Sequence, residues 1–516
     1  MAVRTVVPLL LLCMLAAPRL AAQCPDGSQP PCRPSRAAAP AAPNSVVVLY
    51  FDNLSPDTAD AYLADGLTEA LLFRLGQLQR LAVKRASRAV AQRVRDSVPD
   101  YAMAIGQLLR VRYVVEGSVR RAGPRVRVST RLVRAGDGVQ VWADEFDRAT
   151  SDILNLEDEL TRRVLIGIAG RLAPGDRAAL VAAPTRDPEA YLHFLQGNFY
   201  LAQRSRPAFT RAIEEYTTAA RLDPGFTQAL GRIGYVYWLL VVYGVAYQGL
   251  SAESLLARGL AVTDRAIRQD SSSSDAWLAR GALLRGALLQ QGAAHDYQVA
   301  AHDYRGAQQA FERALALDVG NAEIYHVYGG FLQSIGRDSA ATAAYLRAIA
   351  IEPIRPITLH ALGYLAFLRR DFPDARRSLD SALSLDPALL AALDRRALLR
   401  LRLGDFAGAQ ADLETLWSLT QNTAYRSAIE TVLALKYAAA GDTAAARAQL
   451  SRLRSDDVLG KVLILTALHH EDEAVDLLEP LEGLGLELWN RLREPLFDEL
   501  RVHPRFQQLM ERVRPR

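Results

Sequence analysis

Between Asp318 and Leu419 the chain repeats itself every 34 residues, and no other feature constrains its fold as tightly. Asp318, Glu352 and Asp386 keep that interval; so do Gly329, Gly363 and Ala397, and Ala341, Ala375 and Ala409. Pro353 and Pro387 each follow one residue after their acids. A period of this length, with small residues at two fixed places and proline at the end, describes stacked helix–turn–helix units. The small residues are needed where two helix backbones cross closely. Tyr345, Leu379 and Leu413 supply the bulk beside each crossing. Gly336-Arg337-Asp338, Arg370-Asp371-Phe372 and Gly404-Asp405-Phe406 mark the turns between helices.

On these residues the chain resembles a tetratricopeptide repeat protein. The same second-helix pattern recurs at Ala212, Tyr216, Ala219 and Pro224, at Gly259, Ala266 and Asp270, and at Ala307, Phe311, Ala314 and Asp318. Downstream it returns at Ala434, Gly441, Ala446 and Leu450, then in degenerate form at Ala474 and Leu478. The array is therefore read over residues 187–483, as about eight repeats. Insertions near Tyr243–Leu250 and Gln291–Ala301 interrupt it, and residues 484–516 read as capping helices carrying Trp489, Leu492, Phe497 and Leu500. The resemblance implies a right-handed superhelix whose first helices line a concave groove for an extended peptide or a partner's helix. In register, Glu323, His326, Gln333, His360, Tyr364, Phe367, Asp394 and Arg402 fall on that surface. The two equivalent histidines suggest pH-sensitive binding, against the alternative of ordinary wet groove residues.

Residues 46–172 read differently. Val46–Phe51 is a continuous apolar run, as a strand buried on both faces requires. A helix is expected over Ala61–Gln77, a brief strand at Leu81–Val83 and a helix near Pro99–Leu109. Three strand-like runs follow, Arg112–Arg120, Arg125–Arg134 and Val139–Phe146, separated by Gly123-Pro124 and Gly136-Asp137-Gly138. In the middle run Val126, Val128, Thr130 and Leu132 alternate with Arg125, Arg127, Ser129 and Arg131, so one face packs and the other meets water. The turns make this an antiparallel meander, and a helix over Asp152–Leu172 closes a small α+β unit. Four blocks, Phe51–Ser55, Tyr62–Glu69, Tyr113–Arg120 and Val141–Arg148, are similar to the bacterial TolB-like (FlgO-like) amino-terminal domain. That family brings no catalytic residues with it. Its members usually stand between a signalling module and a tetratricopeptide array, whereas here an export signal takes the module's place and Tyr50 stands where proline is usual.

Met1–Ala22 has the form of that signal: Arg4, an apolar core over Val6–Ala17 too short to span a bilayer comfortably, and Leu20-Ala21-Ala22 before the cleavage point. A signal retained as an amino-terminal membrane anchor is the alternative. The mature chain is thus expected outside the cytoplasm, in the periplasm or associated with the cell envelope. Residues 23–45 form a Pro- and Ala-rich linker. Within it Cys24 and Cys32 either close a local disulfide or remain two thiols, too few ligands for a metal. A net charge of +4 over 516 residues gives no footprint for nucleic acid. The alternating Arg face is how an exposed sheet stays soluble, and His469-His470-Glu471-Asp472 reads as a polar turn.

No phosphate-binding loop, nucleophile elbow or His-Glu-x-x-His occurs. The fold class expected is a small α+β domain followed by an all-α tetratricopeptide superhelix. The function expected is that of an exported, non-enzymatic scaffold for a protein or peptide partner, with no cofactor, metal or nucleic acid. The alternative is an envelope sensor whose first domain binds a small molecule or envelope component; a hydrolase or transferase ranks below both.

Overall fold

The structure is a computed structural model, and it describes residues 41–78, 80–86, 88–170, 184–290 and 297–515. The signal, most of the linker, and Cys24 and Cys32 lie outside the described residues, as does part of the Gln291–Ala301 insertion.

Strand β1 (Ser45–Val48) is an interior strand of a six-stranded sheet, next to its β3 edge, with every one of its residues buried. It pairs in parallel with β3 (Ala82–Arg85) on one side and β4 (Tyr113–Ala122) on the other. A two-residue strand β2 (Asp52–Asn53) continues alongside β4. From β4 the sheet runs antiparallel through β5 (Arg125–Arg134) and β6 (Gln140–Ala149), the meander read from the sequence. The pleat sends successive β1 side chains to opposite faces. Val46 and Val48 meet α1 (Ala61–Gly76) and α4 (Ile153–Ala169), while Val47 and Leu49 meet α2 (Arg88–Ser97) and α3 (Tyr101–Leu109). Helix α2, passed over in the sequence because six of its ten residues are polar or charged, brings Ala91 and Val94 to that packing. On β5 the arginines stay outside and find acids: Arg125 and Arg127 hold Asp147, and Arg131 holds Glu116 at 2.5 Å.

Sixteen helices follow, in eight consecutive pairs among the described residues. They are α5 (Pro188–Ala202) with α6 (Arg206–Leu222), α7 (Thr227–Val242) with α8 (Ala252–Gln269), and α9 (Ser274–Gln290) with α10 (Tyr297–Leu317). Next come α11 (Ala322–Ser334) with α12 (Asp338–Ile351), α13 (Pro356–Leu368) with α14 (Phe372–Leu385), and α15 (Leu390–Arg402) with α16 (Phe406–Thr420). The array ends with α17 (Thr423–Ala439) and α18 (Thr443–Leu450), then α19 (Val458–Ala467) and α20 (Glu471–Leu478). Asp, Asn or Ser caps many of these helices by accepting from the first free backbone N–H groups, as Asp187, Ser251, Asn321, Asp371 and Asp405 do. The crossings are as close as the small residues demand. A Cβ on Gly329 would lie 2.6 Å from the Tyr345 ring, and one on Gly197 2.4 Å from Tyr216. Tyr345 is 2% exposed and has nowhere to retreat. Gly329→Ala is therefore expected to cost about 1–3 kcal/mol by overpacking; an unchanged urea midpoint would show that the crossing is looser than this.

One hydrophobic core runs from Val46 in β1 through the array to Leu416 and Val432. The two regions are thus not beads on a linker. Gly66 of α1 lets Leu195 of α5 approach to where a Cβ would sit only 2.8 Å away. Beneath that contact Arg74 donates to Glu157 at 2.6 Å and to Asp158, while Tyr191 of α5 donates to Glu157. On the other face of the sheet, Ile354 and Leu385 of the array join Val47 and Leu49.

After α20 the chain turns back through a 3-10 segment, α21 (Leu486–Leu492), a second 3-10 turn (Pro495–Val502) and α22 (Pro504–Val513). Leu488, Leu492, Phe497, Leu500 and Phe506 pack on Val462, Val475 and Leu478 of the last pair.

Candidate functional site

The first helices of successive pairs turn the same side inward, and side chains from distant pairs meet there. Glu323, at the start of α11, takes Arg204 from the end of α5 at 3.0 Å, Tyr235 from α7 and Arg355 from the turn before α13. Arg355 also holds Glu352 at 2.5 Å. Residues 119 positions apart touch directly, so the array curls tightly about this inner face. Burial alone would raise the Glu323 carboxyl, but Arg355 and Arg204 beside it hold it well below the usual carboxylate range. The α+β domain reaches the same region. Its Gln77 donates to Asp318 at 3.3 Å, and its Tyr50 and Arg85 both bind Glu69, close enough to Glu352 for the field of that acid to act on Arg85.

A second cluster is built by the returning C-terminal segment. Glu494, only 3% exposed, accepts from the Tyr364 hydroxyl at 2.7 Å and pairs with Arg395 of α15 at 3.2 Å. The Arg395 guanidinium lies 4.1 Å over the Tyr364 ring. Next to it, Arg493 donates to the Gln333 carbonyl at 3.2 Å and to both Asp338 oxygens at 2.6 and 2.5 Å. Asn490 donates to the Ser334 carbonyl at 3.0 Å. Trp489 stacks at Gly336, whose φ of +77° and bare Cα are both required: a Cβ there would lie 2.7 Å from the indole. Arg370 reaches Asp498. A strap of the chain's own sequence thus lies along the inner ends of pairs four to six.

This placement corrects several of the groove residues read from the repeat register. Phe367 is fully buried between Tyr364 and Phe372 and is a core residue. Tyr364 is 8% exposed, its hydroxyl already used by Glu494. Glu323 is consumed by Arg204 and Arg355, and Gln333 accepts from Tyr345 at 3.2 Å. Asp394 keeps partial exposure beside Arg395 at 3.5 Å. Arg402 is exposed, with its guanidinium 5.7 Å over the Phe372 ring and away from the other seven. Register finds the helix face; it does not foresee that the face is filled from within. Arg204, Tyr235, Arg355, Arg395 and Glu494 were missed, although Tyr235 follows Gly234 as Tyr364 follows Gly363.

The histidines are corrected as well. His326 packs against the Tyr345 ring at 5.6 Å with its Nδ1 3.2 Å from the Thr358 hydroxyl, and His360 has its Nδ1 3.1 Å from the Ile357 carbonyl. Burial, with Arg355 and Arg204 outweighing Glu323, lowers His326 to about 3. Burial, with Arg395 outweighing Asp394, lowers His360 to about 4. Both stay neutral across the range in which a pH-sensitive groove would operate. The effect moves to stability. Their folded values lie below the unfolded 6.5, so the unfolded chain binds more protons as pH falls, and stability drops from pH 6.5 downward. Each histidine contributes a slope approaching about 1.4 kcal/mol per pH unit. His326→Gln with His360→Gln is expected to flatten it; equal slopes in urea titrations of the variant and the parent would refute the assignment.

Among the described residues no group of three His, Cys, Asp or Glu side chains could hold a metal ion, and no helix is long and apolar enough to cross a membrane. His470 of the His-His-Glu-Asp turn binds Glu473 and Arg447, and Asp472 binds His503.

No family model matches the chain. A curated relative, "putative adenylate cyclase 3" of Rhizobium meliloti (strain 1021), is 30% identical over 233 residues, which is 45% of this chain and 38% of that protein. The chain thus spans well under half the length of the curated relative it matches. This similarity overturns the expectation, read from missing motifs, that the chain is not an enzyme. Motif absence could not carry that conclusion, because it tests only for familiar chemistries. Among solved structures, PilW, a type IV pilus biogenesis factor, is similar with a TM-score of 0.34 at 20% identity, over 44% of this chain and 93% of its own. Pseudomonas aeruginosa pilF matches with a TM-score of 0.34 at 18% identity, over 48% and 99%. A monomeric mutant of IFIT1 matches with 0.42 at 12% identity, over 70% and 86%.

Proposed function

We propose that the chain is an exported interaction scaffold whose repeat array binds an extended protein or peptide segment along its inner face. One observation bears on this reading: the inner face already holds a short helical strap, the chain's own residues 489–498, through a carboxylate, a tryptophan and backbone carbonyls. A surface that seats one short segment by these means has the chemistry to seat another. In this reading the amino-terminal unit is a TolB-like domain that closes one side of the channel, and the mature chain works at the cell envelope. The similarity to a putative adenylate cyclase, over 38% of that protein, is compatible with a part of this chain being shared with a longer protein. A sensor in which the first domain binds a small molecule is the second reading. It is favoured by the buried Arg74, Glu157 and Tyr191 joint, through which a ligand on the sheet would reach α5.

The test places a photo-reactive residue at Asp394, on the inner face, or at Arg211, exposed on the outer helix α6, in the intact chain within its native cell. A discrete adduct at 394 and none at 211 is expected, in the envelope fraction. Adducts at both positions, or at neither, count against the scaffold. A cytoplasmic, uncleaved chain counts against export.

A further inference from the structure

Equivalent positions on the first helices can be counted from the crossing residues. Four residues past Gly197, Gly234, Gly281, Gly329, Gly363 and Ala397 stand Leu201, Trp238, Arg285, Gln333, Phe367 and Leu401. Five of the six are uncharged. Arg285, on α9, is the exception, and its guanidinium lies over bare backbone: a Cβ on Gly330 of α11 would come within 2.9 Å of its Nη1. Its Nε is buried with no hydrogen-bond partner, and Arg285 forms no ion pair with any described residue. The side chain as a whole is partly buried. The ionisable neighbours whose fields reach it are the phenols of Tyr235 and Tyr345, and burial draws its proton affinity below the usual arginine range.

A cation held out of water without a counter-charge is costly, and folded chains avoid it unless a partner anion arrives. This channel shows what it uses elsewhere for the purpose. Arg204 and Arg355 are neutralised by Glu323, which Tyr235 also bonds, and Arg395 by Glu494, which Tyr364 also bonds. In both cases the answer to an inner arginine is a carboxylate seated beside a tyrosine, and in the second it comes from the C-terminal strap. We propose that Arg285 is the anchoring cation for an acidic peptide segment of the partner, which lays a side-chain carboxylate against this guanidinium inside the channel. The proposal rests on the scaffold reading and adds the chemistry of the partner: an acid is required, and the strap's Glu494 marks the next point along the same face.

Binding of a short fluorescein-labelled peptide alternating Glu and Leu to the intact chain tests this, with its Gln/Leu counterpart and inorganic phosphate as the other arms. The Glu peptide is expected to bind. Arg285→Gln should weaken it roughly tenfold to a hundredfold, Arg285→Lys less, and the Gln peptide should bind the parent at least about tenfold more weakly. Comparable affinity of the parent and Arg285→Gln for the Glu peptide, or equal binding of the Glu and Gln peptides, overturns the proposal. So does saturation by phosphate with no peptide binding, which would make this a free-anion site. If both peptides bind alike, the array still takes peptides and only the role of Arg285 falls; the inner-face cross-link decides the scaffold separately. Arg285→Met reads the same claim without ligand. Its melting temperature should equal or exceed that of the parent, since an unpaired cation is removed, and a clear drop would mean that Arg285 has a partner within the chain.

Discussion

Glu494→Ala is expected to destabilise the chain by about 3–5 kcal/mol, the range for removing one partner of a buried ion pair. The carboxylate is 3% exposed and serves Tyr364 and Arg395 together, so its loss leaves the Tyr364 hydroxyl without its acceptor and Arg395 with only the longer Asp394 contact at 3.5 Å. The strap keeps Arg493 on Asp338 and Asn490 on the Ser334 carbonyl at pair four, and Arg370 on Asp498 at pair five, so its hold on pair six should go first. Urea unfolding reads the energy, and limited proteolysis between residues 485 and 502 reads the release. Glu494→Gln keeps an acceptor for Tyr364 and should cost less. A Glu494→Ala chain as stable and as protease-resistant as the parent would remove the strap from the account.

Phe367→Ala is expected to cost about 3–5 kcal/mol as well, by a different route. The ring is fully buried among Tyr364 and Phe372, and its removal opens a cavity that the crossing of α13 and α14 cannot close. From sequence register alone the same substitution reads as a loss of partner binding with the fold intact. The two outcomes separate cleanly in a thermal melt. A lowered melting temperature supports the core assignment, and an unchanged one returns Phe367 to the groove.

That difference shows what could be read from residues and what could not. The 34-residue interval, the glycine and alanine crossings and the meander from Tyr113 to Ala149 are local signals, and each corresponds to an element or contact of the structure. Period-2 alternation in β5 and the apolar run at Val46 are of the same kind. Helix α2 was not read from the sequence because six of its ten residues are polar or charged. The filling of the inner face was not legible either, for a stronger reason. It depends on Glu494 meeting Tyr364 across 130 residues and on Ile354 meeting the far side of the sheet. No spacing rule encodes such contacts. His326 and His360 were placed on the correct face with the wrong consequence, since position predicts neighbours in register but not the desolvation those neighbours impose. Arg285 was within reach: counting four residues from Gly281, as from Gly329 to Gln333, would have found it.

The strap and the α+β domain fill the channel from within the chain, and hydrogen exchange over residues 485–502 of the intact protein tests this most directly. Backbone amides of Asn490–Phe497 should exchange as slowly as those of α11 and α13, because they open only when the inner face opens. Exchange at the rate of an unattached tail, with α11 and α13 still protected, would contradict it.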